Sequence, residues 1–201
     1  MNPNLQTELR RFIPSNVVSK LNKFYYENDA HLAKAIDTAI ATVLLGIFNK
    51  ISEKDLYMDT LEYVSETEFY REIEFNDSRL LSVDDCYKTN GDSILAQLFE
   101  NKKGRISEMI SNEIGVKSET AFEVFNFAAL LVFSFLKHKV QDLNELNILI
   151  DEQKRGLVNS IPGGIRIILG YSNYEFIEEK RGTRKFSASA IFSNLFSPKV
   201  S

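Results

Sequence analysis

The chain has 201 residues, 44% of them hydrophobic and 26% charged, with a net charge of -4. That size suits one sizeable core plus a tail, and the acidic balance argues against nucleic acid as the main partner. Cys86 is the only cysteine, so no disulfide forms within the chain, and with four prolines and nine glycines the composition favours helices over an all-β fold.

Taken in order, Asn2-Pro3 starts a short helix. Glu8, Arg10 and Arg11 interrupt any apolar leader there, and a cytoplasmic location is expected. Pro14-Ser15 restarts the chain, and Val17, Val18, Leu21 and Phe24 recur at helical spacing. Asp29 is placed as the cap of a long helix to Lys50 with the stripe Leu32, Ile36, Ile40, Val43 and Ile47. Ser52 with Asp55 resembles a capping box. Residues 66–90 read as an irregular link, with Arg71–Phe75 briefly strand-like, followed by a helix from near Asn76-Asp77.

Asn90-Gly91 is a turn signal, after which Asp92 caps a helix with Ile94, Leu95, Leu98 and Phe99 inward. Lys102, Lys103 and Gly104 are expected to end it. A helix containing Ile106, Met109 and Ile110 stops at Gly115, and Ser118 caps a long helix to about Val140. The apolar run Ala121–Leu136 within it is too short to span a bilayer and contains Glu123 and Asn126, so it reads as a buried core helix. Asp142 or Asn144 opens a helix towards Asn159, Ile161-Pro162-Gly163-Gly164 breaks the chain, and Ile165–Leu169 forms a last turn closed by Gly170.

A shift of 88 residues overlays the first part of the chain on the second, each a short amphipathic helix, a polar break and a long apolar helix: Leu21 on Met109, Ile36 on Val124, Ile40 on Ala128, Val43 on Leu131, Ile47 on Phe135. The expected fold is therefore all-α, an irregular bundle of two similar helix-pair repeats, about 15–50 and 103–140, within a domain of residues 1–170. Residues 171–201 form a basic, amphipathic tail.

Three features carry a family resemblance: the paired repeat; Gly91-Asp92-Ser93-Ile94-Leu95-Ala96-Gln97-Leu98-Phe99; and Leu149-Ile150-Asp151-Glu152-Gln153-Lys154 followed by Leu157 to Ile165 with its Ile161-Pro162 turn. Over about residues 8–170 the chain resembles the YidB-like bacterial proteins, domain of unknown function nine-three-seven. It departs from them at Ile40-Ala41-Thr42-Val43, where many relatives carry a proline before the leucine run. The resemblance implies the fold and a bacterial origin, and it supplies no activity.

Each patch with potential chemistry has a bland counterpart. His31 and His138 have no converging partners in the sequence and read as surface or cap residues. Asp84-Asp85-Cys86 mixes hard and soft ligands and suits no single metal, so no metal or cofactor is expected. Asp59 to Asp77 holds seven acids against Arg71 and reads as a solvated face. The amides of Pro162-Gly163-Gly164 can meet an anion beside Arg166, but there is no phosphate-loop ending, and a tight turn is the simpler role.

Phe122, Phe125, Phe127, Phe133 and Phe135 crowd one helix, which suits a core or an apolar ligand contact. Lys180, Arg181, Arg184 and Lys185 precede Ile191, Phe192, Leu195 and Phe196, a pattern for weak contact with an anionic membrane or a partner groove. The candidate interaction residues are thus Phe125, Phe133, Arg166, Lys180, Arg181, Phe192 and Phe196. The expected function is a non-enzymatic protein-interaction or scaffold module. A carrier of a small apolar ligand and an enzyme of unrecognised type are the alternatives.

Overall fold

The computed structural model describes residues 4–11, 13, 18, 22, 26–50, 86–139 and 143–172. The chain divides into two units, Met1–Gly170 and Tyr171–Ser201. The helices below all belong to the first. They are α1 (Leu5–Arg11), α2 (Asp29–Lys50), α3 (Cys86–Phe99), α4 (Lys103–Ile114), α5 (Ser118–Lys139), α6 (Leu143–Ser160) and α7 (Gly163–Leu169), with a 3-10 turn at Glu100–Lys102. The fold is all-α, and no strand occurs among the described residues. Pro14, Val17, Leu21, Phe24 and the expectations for residues 51–85 lie outside them.

α2 and α5 form the centre, each 22 residues long and packed on one another. Ala35, Ala39 and Ala41 of α2 are buried, and small side chains let a helix approach its neighbours closely. Phe125, Phe127, Phe133 and Phe135 of α5 are buried, whereas Phe122 is 40% exposed. Both helices are long and apolar enough to cross a membrane, and both are mostly buried within the bundle. α3 and α4 cover α5, α6 lies along α2, α1 crosses α2, α5 and α6, and α7 rests on α4 and α2.

The helix ends correct several expectations. Asn28, rather than Asp29, caps α2: its Oδ1 accepts the N–H groups of Ala30 (2.9 Å) and His31 (3.3 Å), and its carbonyl accepts Leu32 N–H. Asn90-Gly91 is no turn. α3 runs through it, and Asp92 pairs with Lys103 (2.6 Å) instead of capping. The glycine serves a different purpose: a Cβ at Gly91 would fall on the Asn126 backbone of α5, so α3 and α5 meet backbone to backbone. The stop after Phe99 comes at Glu100, whose φ is +52, and Gly104 lies inside α4.

A second glycine seats α3 from the other side. At Gly46 of α2 a Cβ would stand 2.5 Å from the Phe99 ring, which also packs on Phe125 at 5.5 Å between centroids. The residues inward on α3, Ile94, Leu95, Leu98 and Phe99, are all buried as the spacing requires.

The junctions before α2 and α5 share a backbone pattern. Tyr26 N–H donates to Asn22 O and Gly115 N–H to Ser111 O, both at 2.9 Å. Tyr26 and Gly115 both have left-handed φ, +51 and +84. Leu32 N–H then donates to Asn28 O, as Ala121 N–H does to Lys117 O. Residues 22, 26, 28, 29 and 32 thus correspond to 111, 115, 117, 118 and 121. The spacing is 89 residues and not the expected 88; a one-residue slip turns a helix by about 100°, and at 89 residues Leu32, Ile36, Ile40, Val43 and Ile47 fall on Ala121, Phe125, Ala129, Val132 and Leu136, all of them buried.

Candidate functional site

The polar groups that sequence singled out near the glycine turn are engaged within the bundle. Gly164 N–H donates to Glu113 Oε1 of α4 at 2.9 Å, so an internal carboxylate fills the place considered for an anion. Arg166 turns the other way: its Nε donates to Ile161 O at 3.0 Å and its Nη2 reaches Asn159 O at 3.5 Å. The guanidinium closes the carbonyl end of α6, which a helix leaves unsatisfied. Gly170 ends α7 with φ +86 and its N–H on Ile167 O.

Glu27 does the same for α5. Its Oε1 accepts Lys117 N–H at 2.9 Å and the Thr120 hydroxyl at 2.6 Å, covering the amide end of α5 from a residue 90 positions before Lys117. His31 is exposed and sits beside Gly115 at this junction. His138 lies in the last turn of α5, and Cys86 opens α3, with Asp84 and Asp85 outside the described residues. Among the described residues no group of three or more His, Cys, Asp or Glu side chains can hold a metal ion.

α1 is tied down by three polar contacts and two leucines. Leu5 N–H donates to Gln153 Oε1 at 2.7 Å, Gln6 Nε2 to Asp37 O at 3.1 Å, and Arg10 pairs with the Asp37 carboxylate. Leu5 and Leu9 are buried beneath it, each worth about 1.5–3 kcal/mol relative to exposure. Burial holds the Asp37 carboxyl above its ordinary range, and the Arg10 charge and hydrogen bond pull it back in part. At the other end of α2, Asn49 Nδ2 donates to Leu169 O at 3.2 Å, and Lys154 of α6 lies 4.1 Å from the centre of the Phe48 ring.

Of the candidate interaction residues, Phe125 and Phe133 are buried in the core, and Arg166 caps α6. Lys180, Arg181, Phe192 and Phe196 lie outside the described residues. Sequence reasoning passed over Tyr26. It is 87% exposed, more so than Phe122, Ile148 and Ile167, the other large apolar side chains exposed among the described residues. Its positive φ is a conformation that bulky side chains rarely adopt. The corresponding junction residue is Gly115, which takes that conformation without strain.

A model of the bacterial protein family of unknown function DUF937 matches residues 7–139. The match takes in the glycine-led segment from Gly91 to Phe99 and stops before the Gln153 helix and the Ile161-Pro162 turn. No curated protein and no solved structure matches the chain.

Proposed function

The chain belongs to DUF937, a bacterial family of unknown function, and on that premise we propose that it is a non-enzymatic interaction module, a tied bundle that presents a fixed aromatic contact to a protein partner. The observation that carries this reading is Tyr26. Left-handed backbone at a residue with a side chain costs about 1–2 kcal/mol. The ring is almost wholly exposed, so the fold recovers little from burying it. A contact outside the chain accounts for both features. Tyrosine is a favoured anchor in protein interfaces, and a contact held rigid before binding loses less freedom on association. Glu27, the next residue, is hydrogen-bonded to α5 and fixes the turn that carries the ring.

Three carboxylates of the described residues are engaged within the bundle: Glu27 and Glu113 at helix amides, Asp37 with Arg10. Phe125 and Phe133, the residues that would hold an apolar ligand, are part of the packed core. The matching hydrogen bonds at the two junctions support an origin by duplication, with Tyr26 as the residue by which the first copy differs at its turn.

Charge distribution supports a second contact surface. Residues 180–201 hold five of the 24 basic residues and none of the 28 acidic ones, leaving 19 basic against 28 acidic in residues 1–179. Such segregation suits attraction of the tail to an anionic surface, at about 1 kcal/mol per basic residue close to a membrane.

Native mass spectrometry of tag-free protein gently isolated from its host tests the proposal. A stoichiometric complex is expected with the natural chain and should be lost in Tyr26→Gly, while the variant keeps its helical signal. A bare monomer in both preparations would sink the interaction reading.

A further inference from the structure

We infer that the interior of the bundle holds an ordered water molecule on the side chain of Asn126. Asn126 lies in the middle of α5, is 0% exposed, and has no hydrogen-bond partner at Oδ1 or at Nδ2. Buried polar groups in folded proteins are nearly always paired, and an unpaired carboxamide leaves two donors and an acceptor unmatched.

Four other side-chain atoms are buried without a hydrogen-bond partner: Asp37 Oδ1, which is ion-paired with Arg10; Asn22 Oδ1, on a half-buried side chain whose Nδ2 donates to Asp29 Oδ1 at 2.7 Å; and Thr38 Oγ1 and Ser134 Oγ, which have a local remedy. A helical hydroxyl can rotate onto the carbonyl four residues before it. Thr42 does so, donating to Thr38 O at 2.7 Å. A carboxamide cannot satisfy both ends in that way, and among the described residues Asn126 is the one whose carboxamide is buried and unpaired at both ends.

The chemistry of the guest follows from the side chain. It must accept from Nδ2 and donate to Oδ1. A metal ion does neither, and no ligand cluster for one occurs among the described residues. An anion accepts but does not donate. Water does both and is the ordinary occupant of small polar niches in protein interiors. Ser134 is eight residues further along α5, about 12 Å by helical rise, so this molecule serves Asn126 and does not bridge to Ser134. Gly91 places the α3 backbone against the Asn126 backbone, so this section of α5 is covered by a helix and closed to rapid exchange with solvent.

The test is a water–amide cross-relaxation experiment on the full chain with ¹⁵N-labelled asparagine, read together with the melting temperature of Asn126→Leu. A cross-peak between the Asn126 Nδ2 protons and water, with the sign of a long-lived molecule, is expected. The variant, which removes the polar contacts of the guest, should melt lower by about 2–8 °C. No cross-peak, or a variant that melts higher, would overturn the inference. Should Asn126→Leu fail to fold, the cross-peak on the natural chain decides alone.

Discussion

Glu27 and Thr120 share a 2.6 Å hydrogen bond across 93 residues of sequence, and the same carboxylate oxygen covers the Lys117 amide. The start of one long helix is thereby fastened to the start of the other. Glu27→Ala should cost about 0.5–2 kcal/mol, the range for losing a helix cap. A double-mutant cycle with Thr120→Val in urea unfolding should show coupling of about 0.5–3 kcal/mol. Additive effects would mean that the carboxylate acts on the helix end alone.

Tyr26→Gly should stabilise the fold by roughly 0.5–1 kcal/mol, the strain relieved less the added freedom of the unfolded chain. Gly115→Ala should act oppositely, losing about 1–2 kcal/mol where φ is +84. Thermal melts of both variants check the signs. A destabilised Tyr26→Gly would mean that the ring supports the fold after all.

Two glycines give a contrasting pair. Gly91→Ala places a methyl group on the α5 backbone and should cost about 1–3 kcal/mol through displaced helices. Gly104→Ala, in α4 with open space around it, should gain about 0.5–1 kcal/mol from helix propensity. Equal effects of the two substitutions would contradict the close α3–α5 crossing.

The pH response of the bundle has two opposed components. Asp37 is raised from 3.8 by burial, against the pull of Arg10. Its protonation therefore stabilises the fold, fully below about pH 3.8 and less as pH rises through the higher folded value. Glu100 is lowered from 4.5, mainly by its hydrogen bond to Lys50 at 2.8 Å. Its contribution is present above pH 4.5 and is lost as pH falls through the lower folded value. Urea unfolding of Asp37→Asn and Glu100→Gln between pH 3 and 7 should show differences from the natural chain that slope in opposite directions. The Glu100 effect, at an exposed pair, should shrink with added salt. Parallel slopes would refute the assignment of causes.

The apolar periodicity points to α2, to α3 from Asp92 onward and to α5, because buried positions recur at every turn. The stop at Gly115 and the break at Ile161-Pro162 were equally legible, since those residue types act through their own backbones. What escaped notice depended on partners far along the chain. Gly91 looked like a turn because Asn90-Gly91 is a local signal, whereas its use is set by Asn126. Sequence places Arg166 beside a glycine turn with amides that can meet an anion, whereas its use is set by Ile161 O and Asn159 O. Glu27 and Glu113 are ordinary surface acids in sequence, and only the fold brings them to amide groups of other helices. Tyr26 matches Gly115 only at the 89-residue offset of the turn hydrogen bonds, which the apolar pattern does not carry.

The bond from Leu5 N–H to Gln153 Oε1 spans 148 residues. A ribosome adding roughly 5–20 residues per second needs about 7–30 s to make that stretch. During that interval Leu5 and Leu9 have been synthesised but α6, which helps to cover them, has not. The contacts of α1 with α6 are therefore among the last to form during translation, although α1 is made among the first.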